Sequence, residues 1–185
     1  MIKSNPILTE RNIANCRLFV DRDAMVRALV APGGVGAEVG VWNGDFSAIL
    51  LQSLVPAELH LIDIAIRDRV RTRFADAAPA PVLHEGDSVE VLARFPDEHF
   101  DWIYIDGDHS LDGVTRDAGI AVRKIKRDGL LLFNDYTMGD HNVPEGFYPY
   151  GTIPVVNDLC LNHGFEMIGF AFHCQMYCDA AIRRA

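Results

Sequence analysis

The chain has 185 residues and carries 26 acidic side chains against 17 lysines and arginines, so its formal net charge is −9 with neutral histidines. This length, with 49% hydrophobic and 23% charged residues, fits one globular domain and excludes a disordered chain. The acidic balance argues against a nucleic-acid backbone or an anionic membrane surface as a partner, and no apolar run approaches the ~20 residues of a membrane span.

The N-terminal residues 1–31 predict a helical segment. Within it, Met25, Val26, Leu29 and Val30 form an apolar stripe at helical spacing. The segment lacks the apolar stretch of a signal peptide, and the four cysteines form no CxxC pair. We therefore expect a cytoplasmic protein with reduced thiols. The segment also offers a face to a second copy, so a homo-oligomer stays open.

Short apolar runs alternate with helical patterns along the rest of the chain. Near-continuous apolar runs of this kind suit strands buried on both faces of a parallel sheet. The predicted strands are residues 37–41, 59–62, 82–84, 102–105 and 130–134. Helices are predicted from residue 88 toward 95, from 111 to about 127, and over 152–163.

Two further strand-like runs, residues 165–173 and 176–182, are joined by only two residues and predict an antiparallel hairpin. The pattern as a whole predicts an α/β fold: a Rossmann-like, mostly parallel sheet with helices on both faces, in one domain spanning residues 1–185. Residues 136–150 form a long connection rich in glycine, proline and aromatic residues, which we expect to act as an active-site lid.

The loop after the first predicted strand is a candidate ligand contact, because open parallel sheets bind ligands beyond the carboxyl ends of their strands. Gly40 and Gly44 permit a tight turn and a close backbone approach. A dinucleotide fingerprint would also place glycine at Trp42 and Asp45, where one side chain is bulky and the other anionic. A dinucleotide is therefore disfavoured. Taken alone, the loop also fits a plain strand-to-helix turn.

Acidic residues follow the second and third strands. Asp63 comes 23 residues after Gly40, near the offset at which a carboxylate accepts hydrogen bonds from a ribose. Asp87 is a candidate helix cap, a candidate neighbour of adenine or ribose, or both. Together with the glycine loop, these strand ends describe an adenosine site without a pyrophosphate cradle.

The fourth and fifth strands lead into the sequences IDGDHS and FNDY. If these strands are neighbours, Asp106, Asn134 and Asp135 converge as oxygen ligands that suit Mg²⁺, Mn²⁺ or Ca²⁺ rather than zinc. His109 lies three residues beyond Asp106, and a histidine can act as a general base at neutral pH. The alternative is that this cluster only caps the following helix.

From about residue 37 to 136 the chain resembles class I S-adenosylmethionine-dependent methyltransferases. The segments that carry the resemblance are EVGVWNGDFS, Asp63, EGDS, IDGDHS and FNDY. Within that superfamily, the last two segments resemble the macrocin O-methyltransferase group and, more distantly, the catechol type. The resemblance implies a seven-stranded sheet whose last strand inserts antiparallel, with S-adenosylmethionine as the cofactor.

The resemblance also implies roles for individual residues. Glu38, Gly40 and Gly44 would face the methionine part of the cofactor, and Trp42 replaces a glycine of the commoner loop. The implied cofactor-binding residues are Glu38, Gly40, Trp42, Gly44, Asp63, Asp87, Ser88 and Asp106. Some relatives depend on a metal, and by resemblance to them a divalent cation such as Mg²⁺ would bind Asp106, Asn134 and Asp135 in this chain. The implied catalytic residues are Asp106 and His109, with His109 in the position of the base.

The predicted reaction is in-line transfer of a methyl group from the sulfonium to an oxygen of a small hydroxylated molecule. A cation would lower the pKa of that hydroxyl, and His109 would take its proton. Two alternatives are kept: a nucleotide-dependent oxidoreductase on a similar sheet, and a non-catalytic cofactor-binding domain. The expected partner is a small-molecule methyl acceptor, with neither nucleic acid nor a membrane involved.

Overall fold

The computed structural model describes residues 6–137 and 150–185, which form eight strands and seven helices. The strands are β1 (Arg17–Phe19), β2 (Val35–Val39), β3 (Glu58–Asp63), β4 (Val82–Glu85), β5 (Phe100–Ile105), β6 (Ile125–Phe133), β7 (Phe165–Ala171) and β8 (Asp179–Arg184). The helices are α1 (Glu10–Ile13), α2 (Arg22–Leu29), α3 (Asp45–Leu54), α4 (Asp68–Arg73), α5 (Ser88–Ala93), α6 (Leu111–Lys124) and α7 (Thr152–Asn162). In these residues, no helix has the length and apolar character that crossing a membrane requires.

All strands belong to one sheet in the order β1-β7-β8-β6-β5-β2-β3-β4. The last strand, β8, lies antiparallel between β6 and β7, while the other neighbouring pairs are parallel. The predicted mostly parallel sheet with an antiparallel C-terminal hairpin is therefore confirmed. Because β2 continues through α3 to β3 on one side and pairs with β5 on the other, the strand order reverses at β2, where such sheets bind ligands.

The expected number of seven strands is wrong, because β1 adds an eighth strand along β7. The prediction of a wholly helical N-terminal segment is wrong for the same reason, since β1 lies between α1 and α2. The strand covers the backbone N–H and C=O groups of β7 that would otherwise form an open edge. A pairing between residues 17–19 and 169–171 leaves no local pattern in the sequence.

Two predicted boundaries also differ from the structure. Helix α6 ends at Lys124 rather than near residue 127, and Lys126 and Arg127 belong to β6, where Lys126 lies 2.7 Å from the carboxylate of Asp101 on β5. The connection between β7 and β8 has seven residues, 172–178, rather than two. Within it Met176 and Cys178 adopt φ angles of 67° and 39°, left-handed conformations that turn the chain out of the strand.

The sheet is covered by helices on both faces, as predicted. Successive strand residues point to opposite faces, so on β5 the side chains of Ile103 and Ile105 join the core under α5, α6 and α7. Trp102 and Tyr104 join the core under α2, α3 and α4. This double cover explains the near-continuous apolar runs, and it leaves the carboxyl ends of β2, β3, β5 and β6 open at one edge.

Candidate active site

Two clefts lie side by side at the carboxyl ends of the parallel strands. The β3-side cleft has a volume of about 450 Å³ and the β6-side cleft about 690 Å³. Gly40, Trp42 and Asp106 line both clefts, so one extended ligand can reach from one to the other. Of the cofactor-binding, catalytic and metal-binding residues predicted from the sequence, all except Gly44 line at least one of the two clefts.

The backbone of the glycine loop is left-handed at three positions. Gly40 and Gly44 have φ angles of 87° and 72°, and Trp42, at 46°, adopts a conformation that favours glycine. Trp42 therefore occupies a backbone conformation in which a glycine would be less strained. Gly44 caps α3, and a Cβ atom there would face the ring of Phe74 at 3.1 Å, away from both clefts. The structure therefore gives Gly44 a role in the turn, and Gly44 lines neither cleft.

Asp63 holds the glycine loop in place. Its Oδ2 atom accepts hydrogen bonds from the backbone N–H groups of Val41 at 2.8 Å and Trp42 at 3.0 Å. Its Oδ1 atom accepts one from Ala65 at 3.1 Å. A carboxylate oxygen has two lone pairs, so Oδ2 is fully used by the loop while Oδ1 keeps one lone pair for a ligand hydroxyl in the β3-side cleft.

Asp87 is a helix cap that also lines the β3-side cleft. Its Oδ1 atom accepts from the N–H groups of Val89 and Glu90 at the start of α5, and its Oδ2 atom accepts from Arg116 at 2.8 Å. The hydrogen bond from Arg116 lowers the pKa of the Asp87 carboxyl. Of the two sequence interpretations of Asp87, the cap is present and the cleft position is compatible with the other.

Ser88 donates a hydrogen bond to the buried carboxylate of Asp117 on α6. Burial raises the pKa of Asp117, which the Ser88 hydroxyl partly offsets. Sequence reasoning missed Asp117 and Arg116 as cleft residues, because on a helix with an apolar stripe they look like ordinary polar positions. Only the packing of α6 against α5 brings them to the cleft.

The β6-side cleft brings His109 between two acids. The Nε2 atom of His109 lies 3.6 Å from Oδ1 of Asp106 and 3.8 Å from Oδ2 of Asp135. This nitrogen is buried and has no hydrogen-bond partner among the described residues. Because buried polar atoms are normally hydrogen-bonded, a free nitrogen between two carboxylates indicates a place for a bound group.

Burial raises the pKa of the acids around this cleft. The pKa of Asp106 lies well above its usual range because of burial and the nearby charge of Glu38, and burial also raises the pKa of Asp135. Glu38 is 1% exposed and accepts a hydrogen bond from Ser47, and burial raises its pKa to about 8. Such a concentration of shifted carboxyl groups is typical of functional sites.

A buried network that sequence analysis missed lies beneath these acids. The guanidinium of Arg22 lies 3.9 Å from Asp106, 3.4 Å from the hydroxyl of Tyr104, and 4.0 Å from the ring centroid of Phe46. Tyr104 in turn donates a hydrogen bond to Asp179. Arg22 therefore supplies positive charge to a cluster of buried carboxylates, which would otherwise repel one another.

Asn134 turns toward the same network. Its amide nitrogen lies 3.3 Å from Oδ1 of Asp179, and burial raises the pKa of Asp179 to about 6. No sequence signal marked Asp179 or Tyr104, because each sits inside a strand where its neighbours are apolar. Asp106, Asn134 and Asp135 are all oxygen donors, and this donor chemistry fits a hard divalent cation.

The predicted lid falls largely in residues 138–149, outside the described residues.

The chain matches the family model described as a methyltransferase domain over residues 37–136, which is more than half of its length. It therefore belongs to this family of methyltransferase domains, and the predicted enzyme class is confirmed. The family also decides between the alternatives, since neither an oxidoreductase nor a non-catalytic domain is a methyltransferase. A comparison with curated proteins yields no match.

Solved structures of methyltransferases share the fold at low sequence identity. The O-methyltransferase TomG of Streptomyces achromogenes, involved in tomaymycin synthesis and solved in complex with SAM, is 15% identical with a TM-score of 0.68, covering 88% of this chain and 78% of that one. The 1,6-didemethyltoxoflavin-N1-methyltransferase of Burkholderia thailandensis, solved with 1,6-didemethyltoxoflavin and S-adenosylhomocysteine, is 12% identical with a TM-score of 0.68, covering 88% and 76%.

A third structure, the M1A22 tRNA methyltransferase TrmK of B. subtilis, is 10% identical with a TM-score of 0.62 and covers 90% of this chain and 67% of that one. These three proteins differ in the molecule that they methylate. At such identities the likeness establishes the fold alone, so the acceptor has to be argued from the site.

Proposed function

We propose that the protein transfers the methyl group of S-adenosylmethionine to a hydroxyl group of a small molecule. The observation that carries the proposal is the buried Nε2 atom of His109, which lies between Asp106 and Asp135 without a hydrogen-bond partner in residues 6–137 and 150–185, in a cleft that adjoins the glycine loop. We propose that this nitrogen accepts a proton in the β6-side cleft, at the carboxyl ends of the strands, where class I relatives bind their ligands.

The cofactor is proposed to extend across both clefts. Its adenosine would occupy the β3-side cleft, where Asp63 and Asp87 offer carboxylate oxygens to a ribose and Ser88 and Trp42 border the base. Its methionine part would pass Gly40 toward Glu38 in the β6-side cleft. The cofactor carries a sulfonium and an ammonium group, and these positive charges would lower the raised pKa values of the acids in this cleft and favour their ionised, complementary form.

The proposed reaction is a single displacement. The acceptor oxygen attacks the methyl carbon, the carbon–sulfur bond breaks, and the electron pair of that bond stays on sulfur as the neutral thioether of S-adenosylhomocysteine. His109 takes the hydroxyl proton on Nε2, and the carboxylates of Asp106 and Asp135 stabilise the imidazolium that forms. The proton then passes to solvent when the products leave. Holding the two reactants in line contributes much of the rate.

A divalent cation is part of the proposal at Asp106, Asn134 and Asp135. When bound, it would lower the pKa of the acceptor hydroxyl. The residues fit such an ion by donor type, and burial together with the neighbouring acids Glu38, Asp135 and Asp179 raises the pKa of Asp106, so negative charge is crowded around this carboxyl. A cation would remove this crowding.

A small hydroxylated acceptor, as in the macrocin-type group, suits the charge of the molecule better than a polyanion. The net charge of −9 and the acidic clefts would repel a nucleic-acid backbone. Tyr150 lies beside His109, with ring centroids 5.1 Å apart, and offers an aromatic wall to an acceptor.

We place the activity in the cytoplasm, as expected for an enzyme with four free cysteines.

The test is calorimetric titration of the full chain with S-adenosylmethionine and S-adenosylhomocysteine, followed by a screen of hydroxylated small molecules for S-adenosylhomocysteine production. We expect binding of one cofactor per chain, weakened by Asp63→Asn through loss of negative charge at the ribose. Asp158→Asn, at an exposed ion pair on α7, serves as the matched control. Absence of binding at millimolar ligand would overturn the proposal.

A further inference from the structure

Three metal-ligand side chains converge at the edge of the sheet opposite the clefts. Glu58 and His60 alternate with apolar residues at the start of β3, so both point to the same face, and His99 immediately precedes β5. One ligand atom from each of the three lies within 4.8 Å of the others. Along β3, at ~3.3 Å per residue, Glu58 lies about 17 Å and His60 about 10 Å from Asp63. We call these three residues the Glu58–His60–His99 cluster.

One nitrogen of this cluster has no hydrogen-bond partner among the described residues. The Nε2 atom of His99 is buried, and no hydrogen bond to it occurs within the described residues. The backbone at this position is held in place, because the N–H group of His99 donates to the carbonyl of Lys124 at 2.8 Å. A buried lone pair or N–H without a partner is rare in proteins, which indicates that a group outside the chain completes the site.

The spacing of the other two ligands already matches tetrahedral coordination. His60 Nε2 and Glu58 Oε2 are 3.3 Å apart. Two ligand atoms at ~2.1 Å from one zinc ion are about 3.3 Å apart in a tetrahedron. Glu58 is exposed, so its carboxylate is free to adjust while the two imidazoles stay in the protein.

The surroundings orient His60 as a ligand. Its Nδ1 atom lies 3.0 Å from Nε2 of His84, and a hydrogen bond there leaves the His60 Nε2 lone pair for a metal. The rings of Phe95 and Phe100 pack edge-on against His60 at centroid distances of 4.8 and 5.7 Å.

We propose that Glu58, His60 and His99 bind a transition-metal ion, with Zn²⁺ favoured by the donor set. Two imidazoles and one carboxylate are borderline ligands that suit zinc, whereas the all-oxygen set of the candidate active site suits magnesium. A water molecule would complete the coordination of the ion. The ion ties the amino-terminal ends of β3 and β5, which are separated in the sheet by β2.

The experiment is calorimetric titration of the untagged, chelator-treated full chain with ZnCl₂, repeated with CoCl₂ to record the visible absorption of tetrahedral Co²⁺. We expect one ion per chain and a higher Tm with Zn²⁺. His99→Gln and Glu58→Gln should lose the binding, the Co²⁺ spectrum and the Tm shift. His84→Phe, which removes the group that orients His60, should weaken binding about 10–100-fold.

Matched controls separate this site from other ligands in the chain. His163→Gln changes an exposed histidine paired with Asp158, and Cys174→Ser removes an exposed thiol; both should bind Zn²⁺ like the parent. Asp135→Asn should also keep the site. Binding weaker than millimolar in the parent chain, or loss of Zn²⁺ binding in Asp135→Asn or Cys174→Ser, would overturn the proposal. If His99→Gln does not fold, unchanged binding in Glu58→Gln and His84→Phe together would do the same.

Discussion

Gly40 lies directly against the backbone of Asp106, and a Cβ atom on Gly40 would be 2.0 Å from the carbonyl oxygen of Asp106. The N–H group of Asp106 also donates to the carbonyl of Val39 at 2.8 Å. The glycine loop and the loop that carries the candidate base are thus joined backbone to backbone. Their relative position is set by the sheet and leaves no room for a side chain between them.

Gly40→Ala should therefore destabilise the protein and disrupt cofactor binding. The new methyl group collides with backbone and the residue keeps a φ of 87°, so we expect a loss of about 2–4 kcal/mol in the free energy of unfolding. Gly119→Ala is the matched control, since nothing lies within 4 Å of its Cβ position on the exposed face of α6. That variant should gain up to ~1 kcal/mol. Urea denaturation measures both, and equal stability of the two variants would refute the close approach.

His109→Ala should lower kcat by about 10²–10⁴-fold, because proton transfer from the acceptor loses its positioned base. The affinity for S-adenosylmethionine should change little, since the proposed mechanism places the imidazole against the acceptor rather than against the cofactor. His163→Ala, at the exposed end of α7, should leave both quantities unchanged. Steady-state kinetics and calorimetry separate the two effects, and an unchanged kcat in His109→Ala would remove the residue from the mechanism.

Stability should fall with rising pH because of Glu38. Burial raises its pKa to about 8, helped by Asp63 and opposed by Ser47 and Arg22. Above the ordinary carboxyl pKa of 4.5 the unfolded chain loses this proton while the native chain keeps it, so the free energy of unfolding declines between about pH 4.5 and 8. The decline from this group is on the order of 3 kcal/mol at pH 7.

Glu38→Gln should flatten that part of the stability profile. The variant should resemble the parent near pH 5 and exceed it near pH 8, as measured by urea denaturation across the range. Glu90→Gln, an exposed change on α5, should follow the parent profile throughout. A parent protein whose stability is constant or rises between pH 5 and 8, with Glu38→Gln parallel to it, would contradict a protonated Glu38.

Trp42 combines an unfavourable backbone with a large exposed ring. Its φ of 46° disfavours any side chain, while the guanidinium of Arg67 lies 5.3 Å from its ring. Trp42→Ala and Trp42→Gly both remove the ring, but only glycine relaxes the backbone, so the glycine variant should be more stable by about 1 kcal/mol. If both variants lose the same cofactor affinity, the ring of Trp42 contributes that affinity. If only Trp42→Ala loses affinity, the conformation of the loop backbone contributes it.

The proposed cation predicts that chelation lowers the methyl-transfer rate and that Mg²⁺ restores it. Zn²⁺ should not replace Mg²⁺, since the ligands are oxygens of Asp106, Asn134 and Asp135. Asp135→Asn should raise the Mg²⁺ concentration needed for half-maximal rate. Activity that survives exhaustive chelation would remove the metal from the mechanism and leave His109 as the base.

The sheet and the edge that carries the site could be predicted from the sequence, because both depend on local patterns. Apolar runs of strand length, such as residues 59–62 within β3, mark buried parallel strands. Since parallel strands all end at one edge, Asp63, Asp106 and Asp135 had to lie along it once β3, β5 and β6 were recognised.

Tertiary structure alone decided the rest. The edge strand β1 exists because residues 17–19 meet the open side of β7, some 150 residues later in the chain. Arg22, Tyr104 and Asp179 form a charged network only because three distant elements pack together, and a strand residue such as Tyr104 looks like core until its partners are known. Local residue patterns report which face of an element is buried, whereas long-range packing decides which buried polar groups meet there.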